Sequence, residues 1–260
     1  MKKVVLLRAY GDFIVALHSL LNSPNIGSFE LIASLHHRPL FEALPASLFP
    51  ATLQIRFVDF GIKSSMLRVF TNRHILNWQT ITEVKNLTHF FKQNTASSDN
   101  YFIENSHRKG LLEWVTGFKF KSIAGQTDVY KSYYDFFKSA PVKINDTKDL
   151  AKKILILPSA RIAKRDIPKA VVKVIEESHK DQTVDTAYFR ETKNGGLVYN
   201  NFTELVHLIE DADYIYGADS LPIHLSCLLK KPHTIVYPEG GSHQFFTPFA
   251  LEHQAYLTFN

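Results

Sequence analysis

Three stretches of the chain place charged and hydroxyl side chains where an apolar, strand-like run gives way to a helical one. In "YIYGADSLPIHLSCLLKKP" (residues 214–232) the run ends at Gly217, and Asp219, Ser220, Leu221, Pro222 and His224 follow. Pro222 suits a helix's first turn, where its missing N–H is not needed. A helix starting at the carboxyl end of a buried strand offers N–H groups and a positive dipole end to an anion. Asp219 or Ser220 can equally well cap those N–H groups, with His224 an ordinary core histidine. The residues alone leave both readings open.

The second stretch is "LPSARIAKRDIP" (residues 157–168), where Arg161, Lys164 and Arg165 crowd a loop between a strand and a helix. Such cations can neutralise a diphosphate, Arg with paired hydrogen bonds and Lys as a point charge. The alternative is a solvated basic loop. The third is "RAYGDFIVAL" (residues 8–17). Gly11 permits a tight turn, and Asp12 begins a helix, either as a cap or as a general base for a hydroxyl. No G-x-x-x-x-G-K-[ST], H-E-x-x-H or G-x-S-x-G pattern occurs. His36 and His37 are adjacent, which does not suggest convergence on one ion, and Cys227 is the single cysteine, so no metal site is expected.

These stretches need elements to hold them. Residues 3–7, 29–35 and 53–60 read as strands, with a helix over 12–22 and a short helical piece broken by Pro45. Residues 64–93 read as irregular helix and 100–105 as a strand, whereas the aromatic-rich stretch 107–137 resists parsing. Residues 138–153 are polar and read as a linker. Beyond it, strands at 154–157, 183–189, 213–217 and 233–237 alternate with helices after Pro168, after Asn201 and from Pro222. Asn201 and Glu204 form a capping-box pattern. The loop at 240–242 reads as a turn or a lid. Strands alternating with helices predict parallel α/β sheets that bind ligands at strand carboxyl ends. We therefore expect two Rossmann-like domains with a cleft between them, over residues 1–140 and 150–245. Residues 246–260 are expected to form a tail packing back on the first domain.

Composition sets the outer bounds. The 260 residues are 45% hydrophobic and 21% charged, an ordinary globular balance. The net charge of +5 is spread along the chain, and no nucleic-acid-binding motif accompanies it, so nucleic acid is not an expected partner. The apolar opening is broken by Arg8 and Asp12, too early for a secretory signal, and no run is long enough to span a membrane.

Taken together, the three stretches resemble glycosyltransferase family 9, the ADP-heptose:lipopolysaccharide heptosyltransferase-like enzymes of the GT-B architecture. Arg8, Gly11 and Asp12 match that family's R-x-x-x-G-D pattern, with His18 where a proline is usual. Pro158, Lys164, Arg165 and Pro168 match its second loop, with Ser159 in place of glycine. Gly217, Asp219, Ser220, His224 and Leu225 match its G-x-D-[ST]-G-x-x-H-L pattern, with Leu221 in place of glycine. The matches keep the family's order in both halves. The resemblance implies an inverting, metal-independent transferase acting in lipopolysaccharide and cell-envelope assembly. It would use an ADP-linked nucleotide-sugar donor as substrate, no cofactor, and a glycan or lipid-linked acceptor. Asp12 would be the base, and Arg8 and Gly11 would line its site. Arg161, Lys164, Arg165, Asp219, Ser220, Leu221 and His224 would surround the donor phosphates, with Glu191 at the ribose. A cytoplasmic place is implied, peripheral to the inner face of an anionic membrane. The departures at Ser159 and Leu221 also suit a non-catalytic nucleotide- or sugar-binding protein, and the same architecture serves nucleotide-sugar epimerases.

Overall fold

The computed structural model describes residues 1–62, 78–93, 100–104, 109–123, 128–190 and 195–260. The chain divides into two compact units, Met1–Ala140 and Pro141–Asn260.

The first unit runs β1 (Lys2–Leu6), α1 (Tyr10–Leu21), β2 (Phe29–Ser34), α2 (Arg38–Glu42), β3 (Gln54–Val58), α3 (Trp78–Gln93), β4 (Tyr101–Glu104), α4 (Lys109–Thr116), β5 (Lys121–Ile123) and α5 (Val129–Phe137). The strands lie in the order β3-β2-β1-β4-β5, all parallel. The winding reverses at β1, so the switch point lies between β1 and β4. Residues 12–20 of α1 are all buried, which explains why this helix is apolar almost all round. The stretch that resisted parsing resolves into α4, β5 and α5. Apart from the exposed Trp114, its aromatics pack inward: Phe118 and Phe120 pack around Phe91 and Tyr101, and Tyr134 of α5 hydrogen-bonds His18 of α1 at 2.7 Å. In α5 the aromatics Tyr130, Tyr133, Tyr134 and Phe137 share one face, opposite the exposed ion pair of Lys131 and Asp135, but aromatic residues favour strands as readily, which obscures the helical reading.

The second unit runs β6 (Lys153–Leu157), α6 (Lys169–Ser178), β7 (Thr183–Phe189), β8 (Leu197–Tyr199), α7 (Phe202–Asp211), β9 (Tyr214–Ala218), α8 (Leu221–Leu228), β10 (His233–Pro238), α9 (Pro248–Glu252) and β11 (Tyr256–Phe259). The order is β11-β10-β9-β6-β7-β8, again all parallel, with its switch point between β6 and β9. The Asn201 side chain caps α7 by accepting from the Glu204 N–H at 2.9 Å. The Glu204 carboxylate reaches back to the Asn200 N–H at 2.7 Å, one residue earlier than a capping box would place it.

Two expectations are corrected. Residues 246–260, expected as a tail, belong to the second unit: β11 pairs in parallel with β10 and completes its sheet. Part of the expected linker also belongs to this unit, since Ile144 is buried against Phe249 and Ala255. A buried histidine secures the added segment. His233 donates from Nδ1 to the Lys231 carbonyl at 2.8 Å and meets the Thr247 hydroxyl through Nε2 at 2.7 Å. Thr247 in turn accepts the Ala250 N–H as the cap of α9.

Burial lowers the His233 pKa to about 4. Between the unfolded value of about 6.5 and that figure, the unfolded chain binds a proton that the native state refuses. Stability therefore falls as pH drops through this window, by up to about 1.4 kcal/mol per pH unit for this group. His233→Asn keeps a donor for the Lys231 carbonyl and is expected to flatten the slope of unfolding free energy against pH by about one proton. Urea titrations between pH 7 and 4.5 measure it, and an unchanged slope would remove His233 as the source.

Candidate functional site

The carboxyl ends of β6 and β9 are neighbours, with Leu157 opposite Gly217. Both loops named by the sequence leave the sheet there, at the switch point where an open parallel sheet leaves room for a ligand. Gly217 makes the arrangement possible. A Cβ at that position would come within 2.8 Å of the buried Ile223 side chain, so glycine lets α8 lie directly on β9. This sets the start of α8 beside the strand end.

Neither Asp219 nor Ser220 acts as the expected cap. Ser220 stands at the N-cap in extended geometry, but its hydroxyl makes no capping bond and approaches the Ser159 carbonyl at 3.4 Å. Asp219 is buried and forms an ion pair with Arg165 at 3.1 Å. Burial raises the Asp219 pKa, with Arg165 pulling the other way. The loop is shaped by its own side chain: Asp166 accepts the Ala160 N–H at 2.7 Å, and the Ile167 N–H closes on the Pro158 carbonyl at 2.8 Å. Arg161 and Lys164 are exposed. Lys164 makes no ion pair among the described residues. His224 is buried, its ring 6.4 Å from that of Phe245. Leu221 opens α8, and Pro222 deprives that helix start of one N–H. The Ile223 N–H is bonded to the Ser220 carbonyl at 3.2 Å. The α8 start thus has fewer donors to give an anion than an ordinary helix terminus. Residues 238–241 form a turn, with the Gly241 N–H on the Pro238 carbonyl, and Ser242 caps the short helical turn that follows. Glu191 lies outside the described residues.

In the first unit, Arg8, Gly11 and Asp12 come together at the carboxyl end of β1. Gly11 is the second residue of α1 and therefore helical, so no tight turn is built on it; Asp12 is the third residue, not the first. The Asp12 carboxylate is buried and accepts the Ala9 N–H at 3.1 Å, with the Arg8 guanidinium 3.8 Å from its other oxygen. His36 and His37, not expected to converge on one metal ion, have ring centroids 3.8 Å apart. His37 also reaches the Arg8 carbonyl at 3.0 Å, a contact that sequence reading missed because no spacing links the two residues. Among the described residues no three His, Cys, Asp or Glu side chains are placed to hold a metal ion, and no helix is long and apolar enough to cross a membrane.

No protein-family model matches the sequence, and no curated protein matches it. Solved structures do match its fold. A heptosyltransferase WaaC of E. coli with ADP superposes with a TM-score of 0.58 at 12% identity, over 99% of this chain and 92% of that one. The ADP-heptose lps heptosyltransferase II of E. coli gives 0.58 at 13%, over 100% and 90%. A glycosyl transferase family 9 structure from Veillonella parvula gives 0.59 at 12%, over 99% and 85%. The chain therefore has the α/β fold of the GT-B glycosyltransferases, with a parallel sheet in each half.

Two substitutions test the second-unit site. Gly217→Ala forces a methyl group against Ile223 and is expected to cost about 1–3 kcal/mol in denaturant unfolding; a neutral result would show that α8 can move away freely. Asp219→Asn tests whether the carboxylate is held at a cost. A raised native pKa means that the native state binds more protons, so its stability falls as pH rises from about 4. The Asn variant is expected to match or exceed wild type at pH 7, by about 1 kcal/mol at most, with the gain vanishing toward pH 4. A strong loss at pH 7 would instead make the ion pair with Arg165 a structural support.

Proposed function

We propose that the protein is a glycosyltransferase that moves a heptose-like sugar from an ADP-linked donor to a hydroxyl of a glycan or glycolipid, with inversion and without a metal ion. The observation that carries this reading is the placement of the residues. On a fold shared end to end with heptosyltransferases, Asp12 occupies the switch point of the first sheet. Lys164, Arg165, Asp219 and Ser220 occupy that of the second. The solved relatives include E. coli WaaC with ADP and with ADP-2-deoxy-2-fluoro heptose, which supports an adenine nucleotide as the carrier.

The chemistry follows from the charges. Asp12 takes the proton of the acceptor hydroxyl as its oxygen attacks the anomeric carbon. The carbon–oxygen bond to the diphosphate breaks, and the electron pair leaves with the phosphate oxygen. Attack from the face opposite the leaving group inverts the anomeric centre. Fixed positive charge where this anion develops lowers the barrier. We assign that charge to Lys164 and Arg161, both exposed in the loop after β6, whereas much of the charge of Arg165 is met by Asp219. Burying a carboxylate against its raised pKa is a cost that stability does not require, and such groups mark functional sites. We propose that Asp219 and His224 shape the donor pocket from below. The reduced set of N–H donors at Leu221 and Pro222 favours one other reading, a nucleotide-binding protein without turnover. The basic surface and a lipid-linked acceptor fit a cytoplasmic protein meeting an anionic membrane.

The test is a thermal-shift panel with ADP, GDP, UDP, CDP and TDP, without metal. ADP at about 100 times its dissociation constant adds about 2.7 kcal/mol and should raise the midpoint by several degrees. Lys164→Ala should abolish the shift. Asp12→Asn should keep it while lowering transfer from ADP-heptose about a hundredfold or more. Binding without transfer by wild type would select the second reading, and no shift with any nucleotide would overturn both.

A further inference from the structure

His37 is a buried titratable group for which the reading above has no role. It sits in the single turn Leu35–His37 that follows β2, and its ring stacks on Phe13 of α1, centroids 4.8 Å apart and 9° from parallel. Its Nε2 lies 3.0 Å from the Arg8 carbonyl. A carbonyl only accepts, so Nε2 carries the hydrogen and Nδ1 is a bare acceptor. That nitrogen is buried and has no hydrogen bond within the protein. Burial, with the neighbouring His36 adding to it, holds the pKa down at about 3 against the pull of the Arg8 carbonyl, so the ring is neutral.

The Arg8 carbonyl and the Ala9 N–H are the two ends of one planar peptide group. His37 holds the first end, and Asp12 accepts from the second at 3.1 Å. A rigid plane therefore links the imidazole to the carboxylate. The same residues line a cavity of about 10 Å³, shared by Arg8, Asp12, His37, Ile103 and Tyr133. That is room for about one water. A water there can donate to Nδ1 and to the carboxylate and accept from the Tyr133 hydroxyl, the two to four partners that a buried water requires. The charged or titratable groups around the ring are Arg8, Tyr10 and Asp12 from the β1–α1 segment, His36 from its own turn, and Tyr133 from α5.

We propose that His37 is a positioning residue for Asp12, fixing the Arg8–Ala9 peptide through Nε2–H and holding one water on Nδ1 in the cavity shared with Asp12 and Tyr133. The catalytic meaning of this assignment rests on Asp12 acting as the base; the linkage itself does not.

The experiment uses ¹³C/¹⁵N-labelled protein without nucleotide, so its outcome is separate from that of any transfer assay. In wild type, the His37 imidazole should show the Nε2–H tautomer, stay neutral down to pH 5, and contact a long-lived water. A Nδ1–H tautomer, or titration near 6.5, would overturn the proposal. Two variants then test the linkage. His37→Gln can still reach the Arg8 carbonyl, whereas His37→Leu cannot. The Leu variant should lose protection of the Ala9 amide at least tenfold and shift the Asp12 carboxyl titration by about half a pH unit or more. The Gln variant should hold both near wild type. A folded Leu variant with Ala9 protection and Asp12 titration unchanged would show that His37 is merely packed. If the Leu variant does not fold, the wild-type tautomer and the Gln variant still decide.

Discussion

The second unit depends on the approach of α8 to β9 at Gly217. A side chain there would meet Ile223, and α8 would have to lift away from the strand. Because it does not lift, Asp219 is carried below the surface at the strand end and must find a cation. Arg165, from the adjacent loop, supplies it. One missing Cβ thus fixes where a helix starts, which carboxylate is buried, and which of three basic side chains is drawn in. Arg161 and Lys164 stay exposed at the same edge. The electrostatic character of the site follows from the packing.

The first unit reaches a comparable result by a different route. No glycine brings α1 close to β1. Instead Asp12, as the third helical residue, folds back on the N–H of Ala9, and the short loop before it is gripped by His37 from the turn after β2. A carboxylate that caps its own helix is held in one rotamer, and precise placement is what a general base requires. The cap is compatible with the role as base proposed above, because a carboxylate has more lone pairs than the cap consumes.

What the sequence made legible follows the same physics. Strands buried on both faces read as apolar runs, so β1, β6, β9 and β10 stood out, and with them the loops at their carboxyl ends. Asp12, Asp219 and Ser220 drew notice because they follow such runs closely, and Arg165 because it stands in a cluster of cations after one. The short edge strand β8, the region of α4 to α5 and the final strand β11 were not legible. At Leu197–Tyr199 three residues carry too little period. In the nine-residue α5 the buried face is built from aromatics that favour strands as readily, and at Tyr256–Phe259 a half-exposed edge strand resembles a tail. The link from His37 to Arg8 joins residues 29 apart through a backbone carbonyl, which no side-chain pattern can announce.

The ion pair also separates the roles of the basic side chains. Had Asp219 capped α8, Arg165 would have stood with Arg161 and Lys164 as a third cation for a diphosphate. Paired with a buried carboxylate, it instead stiffens the loop that presents the other two. A leaving diphosphate would then meet a flexible lysine and an exposed arginine rather than a closed ring of donors, and a helix start thinned by Pro222. Such a site favours a leaving group that retains contact with solvent. Under the proposed function, donor recognition would then fall on the side chains beside the helix start, where Leu221 stands in place of a glycine and can select by shape.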